Sequence, residues 1–141
     1  MANATKNVNM PDSRAIAYIS QIPIDAKAAT SYFAGTVIEK DASGNGQKAD
    51  GTGIPVGVLV KAIDNSAGAA GDVSLPCQPG IFPLHSTGLT KANIGTEYKM
   101  ADDQTVGAAT PGGGIFLAYF QDGKPMFSVG LQLLVGKVID T

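Results

Sequence analysis

Tryptophan is absent from these 141 residues, and cysteine and histidine occur once each, as Cys77 and His85. A single cysteine cannot close a disulfide within the chain, so nothing points to an oxidising compartment. Charge is scarce: 16% of residues are Asp, Glu, Lys or Arg, against a common value of about 25%. The ten basic residues are isolated from one another and the net charge is −2. A nucleic-acid footprint needs clustered Lys and Arg to displace counterions from phosphates, so nucleic acid is excluded as a partner. No run approaches the roughly 18 apolar residues of a membrane span, and no membrane partner is expected. Residues 1–25 hold no continuous apolar core, so a secretory signal is not expected. Asn3-Ala4-Thr5 fits the N-glycosylation triplet, which is idle without secretion.

What is abundant is glycine and proline. There are 18 glycines and 8 prolines, well above the usual combined share of about 12%. Apolar residues make up 44%, too many for a disordered tail. Such a composition predicts many short strands and tight turns. It also predicts that part of the surface is covered by something other than water. The length fits one domain. Residues 1–14 are polar and end near Pro11, and read as an extended N-terminal arm; residues 15–141 read as a single β-rich domain.

Strand patterns recur along that domain. Ile16 and Tyr18 begin one, and Ile22 and Ile24 straddle Pro23, which marks an edge or an end because proline brings no N–H. Residues 31–38 form a second strand region, with a kink or turn at Gly35. Residues 41–53 are rich in Gly, Asn, Asp and Ser and read as a surface loop. Residues 54–63 are apolar on both faces, as a buried strand requires. A turn over 64–71 leads to a strand over 71–85. Thr90 and Gly95 bracket one helical turn as cap and stop. Residues 98–100 and 105–106 flank a turn at 101–104. Asp122-Gly123 between apolar runs is a hairpin signal, and Phe127, Val129, Leu131 and Leu133 alternate with polar or small residues. Eight or so strands with at most one or two helical turns define a mainly β fold, a small barrel or sandwich.

The chemistry on offer is thin. In residues 73–78 the odd positions are apolar, which turns Cys77 toward the core as a small hydrophobe with a raised pKa. His85 lies beyond two prolines, with nothing to bring it to the thiol as a base. Asp41-Ala42-Ser43-Gly44-Asn45-Gly46 copies the first half of a calcium loop, but Thr52 stands where a bidentate Glu belongs. Asp102 and Asp103 are neighbours and do not converge as paired acids do. The glycine stretches lack the lysine of a phosphate loop. No catalytic residue, metal ligand or cofactor follows. Pro76, Pro79 and Pro83 each delete a ladder donor, which blunts a strand edge, yet Ile81, Phe82 and Leu84 stay apolar among them. Two readings stand side by side: a designated contact surface, or side chains that close the end of the barrel.

The order of features resembles the head decoration, or capsid cement, proteins of tailed bacteriophages. Pro55-Val56-Gly57-Val58, Gly71-Asp72-Val73-Ser74-Leu75, Gly80-Ile81-Phe82-Pro83-Leu84 and the stretch Gly95 to Asp102 follow that group's short β progression. The prolines at 76, 79 and 83 depart from it, and Met100-Ala101 lengthens the last gap. The resemblance spans about residues 30–134. It implies a homotrimer on the outside of an expanded capsid, with the major capsid protein as partner and no enzyme activity. The candidate shell or subunit contacts are then Asn3, Lys6, Asn9, Pro11 and Arg14 in the arm, and Pro76, Pro79, Ile81, Phe82, Pro83 and Leu84. A tail or baseplate β-domain is the alternative; a carbohydrate-binding module fits less well, since it usually presents exposed aromatics and here Trp is absent.

Overall fold

The computed structural model describes residues 21–130. Twelve short strands lie in them: β1 (Ile22–Asp25), β2 (Thr30–Tyr32), β3 (Val37–Lys40), β4 (Gly46–Lys48), β5 (Ile54–Leu59), β6 (Ile63–Asn65), β7 (Ser74–Gln78), β8 (Gly80–Pro83), β9 (Glu97–Met100), β10 (Val106–Ala109), β11 (Ile115–Gln121) and β12 (Lys124–Val129). One 3₁₀ turn covers Lys91–Asn93. Thr90 caps it, its hydroxyl accepting from the Ala92 amide while its own amide donates to the Asn93 side chain. All strand pairs are antiparallel. One five-stranded sheet runs β1-β7-β5-β3-β4, a second runs β10-β9-β11-β12-β8, and β2 pairs with β6. The expected mainly β, sandwich-like architecture is what is found. The arm at 1–14, the strand start at Ile16 and the continuation through Leu133 fall outside the described residues.

The two large sheets share one core. Val37 and Val58 of the first pack with Tyr98, Met100, Ile115, Leu117, Phe127 and Val129 of the second. The Tyr98 and Phe127 rings meet edge to face, 6.4 Å between centroids. The first sheet also buries its other face. Tyr32, Ile38, Val56, Leu59, Leu75 and Cys77 form a second cluster inside its curl. An isolated bridge between Ala26 and Gly46 ties the β1 end to β4, bringing the two margins of the sheet together. This doubly covered sheet explains why residues 37–39 and 55–59 show no alternation: every position is buried. Val56 and Val58 are two apart yet lie in different clusters. Val56 is the extra residue of a β-bulge opposite Ile38 and Glu39, and one inserted residue reverses the facing.

Three expected segments prove to be divided. Residues 41–53 are not one loop, because β4 sits inside them and pairs with β3. Residues 54–63 are not one strand: β5 stops at Leu59, and Ile63 opens β6 in the small sheet. Residues 71–85 split at the buried Pro79 into β7 and β8, which belong to different sheets. These divisions raise the strand count above eight. Other turns match the reading. Gly35 has φ +83° between β2 and β3, and Asp122 and Gly123 both hold positive φ at the β11–β12 turn.

Candidate interaction surface

Pro76 is not at an edge, since β7 lies between β1 and β5. It faces Pro23 across the β1–β7 ladder, and its carbonyl accepts from the Val60 amide at 3.1 Å. Pro79 carries the chain from the first sheet to the second. Pro83 does lie on an edge, because β8 is the last strand of the second sheet. The expectation of a blunted edge therefore holds for Pro83 and is corrected for Pro76.

The apolar residues among them divide by face. Phe82 and Leu84 are half-buried and pack against the shared core. Ile81 points the other way and is 42% exposed. Register sets Ile81, Ser128 and Phe116 in one cross-strand row and Pro83, Met126 and Tyr119 in the next. A bulge at Ala118 turns Tyr119, 42% exposed, to the same outer face as Phe116. Three strands thus present a patch of Ile81, Pro83, Phe116, Tyr119 and Met126 with no charge inside it. Its polar rim starts with the Gln121–Lys124 pair at the hairpin tip and with Glu97 opposite Phe116. The Glu97 carboxylate accepts from the Gly114 amide at 2.9 Å. A contiguous apolar face with a polar rim is the usual mark of a protein contact site.

Pro83 also borders an open groove of about 480 Å³ with Gly35, Leu84, His85, Ser86, Gln104, Lys124 and Pro125. Two residues before Gly35, Phe33 is 66% exposed. The Thr36 hydroxyl donates to the Phe33 carbonyl at 2.7 Å and the Gly35 amide to the Leu59 carbonyl at 2.8 Å, so this turn is fixed to β5. Phe116, Tyr119, Met126 and Phe33 were not singled out from the sequence. The run at 115–120 is apolar at nearly every position, and only the bulge decides which rings face outward.

Cys77 and His85 occupy different surroundings. The Cys77 side chain is fully buried in the inner cluster of the first sheet, and burial pushes its thiol up to about 12. His85 is exposed; its amide donates to the Gln104 carbonyl and its carbonyl accepts from the Val106 amide. The calcium-like spacing at Asp41 is a tight turn: one carboxylate oxygen accepts from the Ser43 and Asn45 amides, both at 2.9 Å. Asp102 does the same for Gln104 and Thr105. Among the described residues no group of three or more His, Cys, Asp or Glu is placed to hold a metal ion, and no helix is long and apolar enough to cross a membrane.

One buried carboxylate escaped the sequence reading. Glu39 is fully buried on β3, and its two oxygens accept from the amides of Asp50, Gly51 and Gly53 and from the Gln47 side chain, at 3.1–3.3 Å. It organises the 47–53 segment and does not open to a cleft. The arm residues Asn3, Lys6, Asn9, Pro11 and Arg14 lie outside the described residues. No family model matches the chain, and no curated protein or solved structure matches it.

Proposed function

We propose that this chain is a structural virion protein: a decoration, or cement, protein that binds the outer surface of a tailed-phage capsid as a homotrimer. The observation that carries the reading is the uncharged outer face built by Ile81, Pro83, Phe116, Tyr119 and Met126. A protein that reinforces a shell must bind many equivalent sites through shape and apolar contact. Low overall charge suits that task, and the order of short β motifs agrees with it. In this reading the outer face meets capsid protein or a neighbouring copy, and residues 2–14 supply further contacts.

The test mixes purified protein with expanded, genome-free heads and measures bound copies by density. Stoichiometric added density is expected. Ile81→Asp with Tyr119→Asp is expected to weaken binding at least about tenfold, because aromatic and aliphatic anchors dominate contact energies. Removing residues 2–14 is expected to weaken it further while the melting temperature stays put. Absence of binding to heads, together with rings or tubes in light scattering, would point to a tail component instead.

A further inference from the structure

The two large sheets repeat one plan. In chain order, β1, β3, β4, β5 and β7 build the first, and β8, β9, β10, β11 and β12 build the second. Their neighbours match strand for strand, β1-β7-β5-β3-β4 in one and β8-β12-β11-β9-β10 in the other. Each sheet is drawn together by one parallel bridge between the same two places. Ala26, just past β1, bridges to Gly46 at the start of β4; His85, just past β8, bridges to Thr105, just before β10.

Side-chain roles repeat as well. Glu39 of β3 accepts from the Gly53 amide and stands opposite Pro55; Glu97 of β9 accepts from the Gly114 amide and stands opposite Phe116. Each glycine precedes the isoleucine that opens the next strand, Ile54 or Ile115. The turn after each of these Glu strands is shut by the same amide-to-carbonyl bond at 2.8 Å, Asp41 to Asn45 and Ala101 to Thr105. An Asp carboxylate, Asp41 or Asp102, accepts from amides inside each turn. Facing reverses at the same step: Val56 points into its sheet's curl and Val58 out, Leu117 in and Tyr119 out. This shared order of strands, bridges, turns and facing marks an internal duplication, with β2 and β6 added to the first unit.

The duplication says what belongs on the exposed face. Val58 lies on the outer face of the first unit yet is only 9% exposed, because it packs into the core of the second unit. The covering unit brings its 101–105 turn, where the Asp103 carbonyl accepts from the Val37 amide at 2.9 Å. Tyr119 holds the equivalent place on the second unit and is 42% exposed. The counterpart of the 101–105 turn is 41–45. Its Ala42, Ser43 and Gly44 are exposed and uncharged, and the Asp41 carboxylate is occupied by the turn's own amides.

We propose that the outer face of the second unit takes the first unit of another copy of this chain, with the 41–45 turn leading. The contact repeats between chains what the first and second units already do within one. It is head to tail, with different surfaces on the two copies, and it forms a ring if its rotation closes. The inference rests on reading this face as a contact surface, and it names a second copy, not capsid protein, as what covers it.

The test places cysteines on the two surfaces of the full chain; the native Cys77 is fully buried and stays out of the reaction. Ser43→Cys chains mixed with Tyr119→Cys chains should form a disulfide-linked pair on air oxidation. Neither variant oxidised alone should form one. Light scattering of the parent should give a mass of three chains, and Ile81→Asp with Tyr119→Asp should reduce it to one with circular dichroism unchanged. A pair formed by Tyr119→Cys alone marks a two-fold contact and overturns the proposal. So does a parent that stays monomeric, or an assembly in which the mixed pair fails to form. Head binding separates this inference from the capsid reading. A monomer that still decorates heads removes only the former, and an assembly with the mixed pair that ignores heads removes only the latter.

Discussion

Pro23 of β1 stands directly opposite Pro76 of β7. A strand residue directs its N–H and C=O to one side, and the Pro76 carbonyl accepts from Val60, on the β5 side. The facing residue of such a pair directs its bonding atoms outward, so the missing N–H of Pro23 belongs to the outer flank of β1. Pro23 therefore sits where its lack of a donor does least harm. Pro23→Val restores an outward donor at a sheet margin. The expected outcome is an unchanged fold by circular dichroism and a rise in self-association with concentration by light scattering. Identical scattering for both proteins would remove this account of Pro23.

Gly46 closes the curl of the first sheet. A Cβ there would meet the Leu75 side chain at 2.7 Å, Ile24 at 3.0 Å and Ile38 at 3.2 Å. The Tyr32 hydroxyl donates to the Gly46 carbonyl at 2.7 Å and accepts from the Lys27 amide at 2.8 Å. Gly46→Val overfills this space and should destabilise the protein by about 1–3 kcal/mol. Tyr32→Phe leaves both backbone groups without that partner and should lose about 1–3 kcal/mol. Urea midpoints measure both; values equal to the parent would show that the curl is slack.

Glu39 tests a different kind of closure. Glu39→Ala strips the acceptor from three backbone amides at once, and a loss of at least about 3 kcal/mol is expected. Glu39→Gln keeps one oxygen and should fall between. The loss should come with faster amide exchange at Asp50, Gly51 and Gly53. A stability change without that local exchange would place the effect elsewhere.

The pH dependence has a definite sign on each side. Burial raises the Cys77 thiol to about 12 from 9.0, and burial also raises Tyr32. Both are neutral when protonated, so their contribution is complete below pH 9 and is lost as pH climbs toward 12. Asp41, Asp64 and Asp102 are lowered, chiefly by hydrogen bonds from the Asn45 amide, the Ser66 hydroxyl and the Gln104 amide respectively. Their contribution is present above the unfolded value of 3.8 and is lost as pH falls through the folded one. Melting temperatures should form a plateau from about pH 5 to 9 with a fall on either side. Cys77→Val should soften the alkaline fall, and the native thiol should resist alkylation at pH 8. Rapid modification of the folded protein at that pH would contradict its burial.

Much of the fold is legible locally. The hairpin at Asp122-Gly123, the cap at Thr90, the kink at Gly35 and the inward Cys77 each depend on neighbours within a few residues. The splits at Leu59 and Pro79 are not legible, because an apolar run reads the same whether it stays in one sheet or passes between two. The candidate surface was half visible. Residues 81–84 alternate, yet their composition does not say which parity faces water, and it is Ile81 and Pro83 that do.

Composition and short-range pattern by themselves determined a mainly β chain with little charge and tight glycine turns. Tertiary structure alone decided that the first sheet has two interiors, that Glu39 is an internal anchor and that one face of the second sheet stays apolar in water. The reason is physical. Turn geometry is set by contacts a few residues long, whereas facing depends on bulges and on which distant strand arrives alongside.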